Sequence, residues 1–163
     1  MEKEILFSEI QKFRQWWLWL ILIVTLMPLL GILIYQVITG NPVGDKPASN
    51  GSLIVIVLLV GLPLVLGFCY FKLFTVVERD AIYYGFGIKG NKLNELRLAD
   101  IASMDVIPYR SFGLGMRLSR QYGTIYNTNW GKGLVITKTD GSKLVIGTQR
   151  PEELKVAISK MRK

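Results

Sequence analysis

The chain has 163 residues, half of them hydrophobic, with 20 Lys and Arg against 12 Asp and Glu for a formal charge of +8. It contains no histidine and a single cysteine, Cys69. Those counts exclude a disulfide framework and remove the commonest general base, the commonest metal ligand and the usual physiological pH switch.

In chain order, residues 1–15 form a lead with Ile5, Leu6, Ile10, Phe13 and Trp17 at roughly helical spacing beside Lys12 and Arg14. This spacing predicts an amphipathic helix on the cytoplasmic face of a membrane. Trp16 to Ile38 is then 23 residues with Gln36 as the only strongly polar side chain, and Leu53 to Phe71 is 19 residues with none. Helices of that length, rising about 1.5 Å per residue, match the roughly 30 Å hydrocarbon layer of a bilayer. The expectation is a hairpin of transmembrane helices over residues 16–38 and 53–72, joined by an external loop over 39–52. A cleaved leader is the rival reading, but its apolar core would be about 7–15 residues and would end at a small-residue cleavage site. Two buried core helices are the other alternative.

Basic residues set the orientation. Lys3, Lys12 and Arg14 precede the first run, Lys72 and Arg79 follow the second, and only Lys46 lies between them. Both termini are therefore expected on the cytoplasmic side. Trp16, Trp17 and Trp19 fall where an interfacial aromatic belt belongs, and together with Lys72 they are the expected membrane-interface anchors. Pro28 and Pro63 predict bent helices, and Gly31, Gly61 and Gly67 predict close packing. No Asp, Glu, Lys or Arg interrupts either run, which argues against an ion or proton path through the pair. Asn50-Gly51-Ser52 fits the glycosylation sequon, but that triplet is common by chance and lies close to the bilayer.

Over residues 73–163 the pattern changes to period two. Strands are predicted at Phe74–Glu78, Ala81–Phe86, Leu93–Leu98, Ser103–Ile107 and Gly123–Tyr126, with Gly113–Met116 as loop. Gly133–Thr139 and Ser142–Gly147 form the clearest hairpin, about the turn dipeptide Asp140-Gly141. Pro151 opens a helix, with Glu152 and Glu153 at the positive end of its dipole and Lys160, Arg162 and Lys163 at the other. Leu154, Ile158 and Met161 share one face. About seven antiparallel strands closed by a C-terminal α-helix is the order of a pleckstrin-homology-like (PH-like) β-barrel, an order that many small barrels share. The fold class expected is an α+β membrane protein: an N-terminal two-helix transmembrane hairpin followed by that cytoplasmic domain.

Few motifs carry chemistry. Gly85-Phe-Gly87-Ile-Lys-Gly90 spells a dinucleotide fingerprint, but Asn91–Leu98 alternates like a strand where a helix is required. Residues 75–163 carry about +7, from 15 basic and 8 acidic side chains. That charge suits an anionic inner leaflet, and nucleic acid is not the expected partner. Arg117, Arg120, Lys132 and Arg150, with Tyr122 and Tyr126 and their neighbours Tyr109 and Trp130, are the candidate ligand or headgroup contacts. The plainer reading of the same residues is surface arginines and packed strand tyrosines. No catalytic triad, Walker motif or zinc spacing can be assembled, so no catalytic residue, metal ligand or cofactor is expected.

The residues that carry a family likeness are Phe13-Arg14-Gln15-Trp16-Trp17-Leu18-Trp19, Thr75–Tyr83, Asp100–Val106, Asp140-Gly141 and Ile146–Leu154, the last with Thr-x-x-Pro-Glu-Glu-Leu. On these the chain resembles the bacterial PH-domain membrane proteins over nearly its whole length. The resemblance implies a bacterial inner-membrane placement with two helices and a cytoplasmic PH-like domain, and it supplies no catalytic or ligand residue. The function expected is a non-enzymatic interaction module binding a protein partner or lipid headgroups, or a homo-oligomer. The alternative is an accessory subunit of a membrane enzyme or transporter.

Overall fold

The computed structural model describes residues 4–13, 15–88, 92–110 and 113–161. Lys3 and Arg14 of the orientation argument, Gly90 of the glycine pattern, and Arg162 and Lys163 at the helix end lie outside these residues. The chain divides into a helical unit, Arg14–Tyr70, and a β unit made of Met1–Phe13 together with Phe71–Lys163.

In the helical unit, α1 is Trp16–Thr39 and α2 is Asn50–Tyr70, each long and apolar enough to cross a membrane. Only 6% and 11% of their most apolar stretches are buried. A pair of soluble-core helices would hide those side chains, so the core-helix alternative does not describe this unit. The second helix begins at Asn50, before the expected Leu53, because Ser49 caps it: the Ser49 hydroxyl accepts from the Ser52 N–H at 3.1 Å. Val57–Gly61 forms a π turn, and the Leu62 N–H donates to the Val57 carbonyl five residues back. Pro63, which has no N–H to donate, follows directly, so the wide turn accommodates the proline inside the helix. By contrast α1 runs as unbroken α-helix through Pro28. Of the three glycines expected to pack, Gly61 does: a Cβ there would stand 3.0 Å from Leu26. Gly31 and Gly67 have open space beside them.

The β unit holds nine strands among the described residues, where about seven were expected. The largest departure is at the start. Ile5–Lys12 is not a surface helix but strand β1. It pairs antiparallel with β2 (Lys72–Glu78), which is followed by β3 (Ala81–Gly87) and β4 (Asn94–Arg97) in a sheet ordered β1-β2-β3-β4. The residues of β1 that are buried are Phe7, Glu9 and Gln11, a period of two in which two members are polar. Hydrophobic spacing alone therefore points to the wrong element.

The second sheet contains β5 (Ile101–Tyr109), β6 (Gly115–Ser119), β7 (Gly123–Asn127), β8 (Gly131–Lys138) and β9 (Lys143–Gly147), in the order β5-β8-β9-β7-β6. Gly115 and Met116, expected as loop, open β6. The pairing is not wholly antiparallel, since β7 and β9 run parallel. That pair forces a close approach at Gly123, where φ is +66° and a Cβ would lie 2.0 Å from the Lys143 carbonyl oxygen. The Asp140-Gly141 hairpin is as expected, with the Ser142 N–H donating to the Asp140 carboxylate at 2.8 Å. These are two separate sheets, not one closed barrel.

Their common core is built from Val77 and Ile82 of the first sheet with Leu134 and Ile146 of the second, all fully buried. Helix α3 (Pro151–Met161) completes it through Leu154, Ala157, Ile158 and Met161, at the i, i+3, i+4, i+7 positions of one helical face. A smaller apolar cluster of Tyr109, Ile125 and Val145 forms separately, with Tyr122 and Val135 against it.

Candidate functional site

Strands β1 and β2 lead into and out of the helical unit, and the register of their pairing sets Lys12 opposite Lys72. Like charges directly opposite across two strands are unfavourable. Lys12 is exposed and Lys72 half-buried. The cost is tolerable beside water and becomes a gain beside an anionic surface.

A polar clasp holds β1 in place. The Glu9 carboxylate accepts from the Thr148 hydroxyl at 2.7 Å, the Gln149 N–H at 2.9 Å and the Gln11 side-chain amide at 3.2 Å. Gln11 also donates to the Gly147 carbonyl at 2.7 Å and accepts from the Thr128 hydroxyl at 2.9 Å. Glu9, Gln11 and Thr128 are all buried, so each bond replaces one that water cannot supply. Arg150 adds an outer brace: it donates to the Ser8 carbonyl at 3.1 Å, lies 5.3 Å over the Phe7 ring and pairs with Glu153. The edge of β1 is thus capped by the segment that enters α3.

At one end of the two sheets the aromatic residues gather. Phe13 and Phe71 each stack on Phe86 with ring centroids 5.9 Å apart. Tyr126 stacks on Phe86 at 6.1 Å and meets Tyr84 edge-on at 5.2 Å. Phe13, Phe71, Phe86 and Tyr126, with Asn94, Gly115 and Met116, line a cavity of about 320 Å³. Met116 at its rim is 65% exposed and Leu118, two residues along β6, is 85% exposed. Burial followed by the neighbouring Tyr126 pushes the Tyr84 hydroxyl above the ordinary tyrosine range. A second hollow, of about 410 Å³, lies between β1 and α3 and has Arg150, Glu153 and Lys160 on its walls.

The expected ligand contacts are dispersed over these features. Tyr126 belongs to the aromatic cavity. Tyr122 packs edge-on against Tyr109 at 6.2 Å, and Tyr109 is pushed above the ordinary range, chiefly by burial. Arg117 donates to the Asn127 side-chain oxygen at 2.9 Å. Lys132 pairs with Glu152 at 3.0 Å, and Arg150 with Glu153. Each lysine or arginine partner holds its glutamate below the ordinary range, through a hydrogen bond first and charge second. Arg120 stands on the exposed turn after β6. The structure does not bring these four cations to one anion-sized point. Of the expected anchors, Trp16, Trp17 and Trp19 occupy the first turn of α1 and Lys72 opens β2.

Two groups escaped the reading of the sequence. The clasp residues Glu9, Gln11 and Thr128 carry no motif, because buried polar side chains look in the sequence like ordinary surface positions; Thr148 opens the Thr-x-x-Pro block, but nothing there shows its partner. The ring residues Phe13 and Phe71 did carry a signal: Phe13 lies three residues before the first apolar run and Phe71 ends the second. Among the described residues no cluster of three or more metal-ligating side chains occurs. Comparison with known proteins gives no matching family model, no matching curated protein and no matching solved structure.

Proposed function

We propose that this chain is a membrane-anchored, non-enzymatic interaction module whose PH-like β unit works at the inner leaflet of a bacterial cytoplasmic membrane. Its ligands on this reading are a protein partner or lipid headgroups. The observation that carries it is the β1–β2 pairing around the helical unit. Two hydrogen-bonded neighbouring strands must lie on the same side of a membrane, so the chain between Lys12 and Lys72 crosses an even number of times. Two helices of spanning length, with mostly exposed apolar side chains, fit that requirement. The basic flanks place the β unit on the cytoplasmic side. The PH-like assignment is supported by two sheets packed against a C-terminal helix, and by the sequence resemblance.

An accessory-subunit role is the second reading. Gly31 and Gly67 are open on the helix surface, where small residues let a partner helix approach closely. One stoichiometric membrane protein co-purifying in mild detergent would favour it over the self-contained module.

The module reading is tested by labelling single cysteines in the full chain, in a Cys69→Ser background, with a membrane-impermeant maleimide on intact cells. A cysteine at Ser52 should label from outside, and one at Ser142 only after permeabilisation. Labelling of both positions from the same side would contradict the spanning hairpin.

A further inference from the structure

The aromatic end of the β unit is built like a ligand pocket. Its volume of about 320 Å³ falls within the range of small-molecule sites. Phe86 is one of its lining rings, with Phe13 and Phe71 stacked on it. Among the described residues, Asn94 is the only lining side chain with a nitrogen or oxygen group besides the Tyr126 hydroxyl. One Asn94 amide proton already goes to the Tyr84 carbonyl, at 3.3 Å. Such a lining offers almost nothing to a charged or strongly polar ligand and suits hydrocarbon.

Covalent tethering says where hydrocarbon would come from. Phe71 is bonded directly to Tyr70, the last residue of α2, and Phe13 lies three residues before Trp16, the first of α1. Three residues span at most about 11 Å of chain. On the reading that α1 and α2 cross the bilayer, two of the cavity's rings are therefore held at the membrane interface. Lys12 and Lys72, their neighbours in the chain, favour an anionic surface there. The neighbouring edge strand agrees: Met116 at the rim and Leu118 two residues on project from the same face of β6, and among the described residues of the β unit they are the most exposed large apolar side chains. Left in water, they are a cost. Set into the acyl region, they become contact area.

We propose that the Phe13–Phe71–Phe86–Tyr126 cavity takes up the acyl chain of a bilayer phospholipid, with Met116 at its entrance. The inference rests on the membrane reading and adds to it that the β unit holds lipid by its tail, through a site apart from the dispersed cations.

The test uses the full chain in vesicles of phosphatidylethanolamine and phosphatidylglycerol doped with a phosphatidylglycerol that carries a diazirine on its acyl chain. After irradiation, peptides of α1 and α2 should carry lipid, and so should the peptides containing Phe86, Met116 and Tyr126. Met116→Glu sets a charge at the entrance of an exposed strand, where folding is not at risk. Labelling of the Phe86 and Tyr126 peptides should then fall by about tenfold, with labelling of the helices unchanged. Labelled helices with unlabelled cavity peptides would overturn the cavity and leave the anchor standing, as would cavity labelling that ignores Met116→Glu. Absence of label on the helices would overturn both.

Discussion

Replacing Glu9 by Ala removes the acceptor at the centre of the clasp and leaves three donors facing an apolar hole. The carboxylate is 6% exposed and takes bonds from Thr148, Gln149 and Gln11 at 2.7, 2.9 and 3.2 Å. A hydrogen bond to a charged group contributes about 1.5–3 kcal/mol net. The three share one carboxylate and do not add fully, and each neutral donor left buried and unpaired costs about 1–3 kcal/mol, so the loss expected is about 3–5 kcal/mol. The effect should be local first, because β1 is an edge strand that pairs, among the described residues, with β2 alone. At about 1.4 kcal/mol per tenfold change, opening of β1 should become roughly 10²- to 4 × 10³-fold more frequent. Amide hydrogen exchange on the full chain in detergent reads this directly at Ile5–Lys12, with α2 as the internal reference. Glu9→Gln keeps one acceptor oxygen and should fall between wild type and Glu9→Ala. Unchanged exchange in β1 with Glu9→Ala would refute the clasp.

Other expectations follow from single positions. Gly123→Ala should destabilise the β unit by at least about 1–3 kcal/mol from its left-handed backbone alone, and by more from the clash with Lys143, as read by thermal unfolding. Gly61→Ala should be tolerated, because the flexible tip of Leu26 can move, whereas Gly61→Ile should lower the melting temperature of the helical hairpin in detergent. Glu152 and Glu153 have lowered values in the fold, so their contribution is present above the usual glutamate range and is lost as pH falls through the lowered values. Acid unfolding should accordingly be less steep in the Glu152→Gln, Glu153→Gln double variant. Tyr84 has the opposite sign: its raised value means stability is complete below the ordinary tyrosine range and lost as pH climbs through the raised value, and Tyr84→Phe should flatten that alkaline limb.

The helices, the Asp140-Gly141 hairpin and α3 were legible because each rests on a local signal: an uninterrupted apolar run, a turn dipeptide, or a proline followed by a 3.6-residue stripe. What was not legible depended on pairing across long separations. Glu9 and Gln11 are buried only because Gly147, Thr148 and Gln149, more than 130 residues away, supply their partners. Seen without those partners, Ile5, Ile10 and Phe13 suggest a helix, although two of the three residues that face the core are polar. The start of β6, Gly115 and Met116, reads as loop because Gly113 and Gly115 break its apolar pattern, and the strand's outward residues, Met116 and Leu118, are apolar where a solvated edge would be polar. The candidate site was half legible. Tyr126 carries a signal, but as a partner of cations; its actual neighbours are Phe86 and Tyr84, on β3 of the other sheet.

The central claim is that the helical hairpin is inserted between two paired strands, β1 and β2, of one sheet. Spin labels at Ser8 and Val76, which are register partners, test it in the full chain reconstituted in vesicles with Cys69 replaced by serine. The account predicts strong dipolar broadening of the doubly labelled spectrum relative to the sum of the single labels. Spectra that simply superpose would place the lead away from β2 and contradict it.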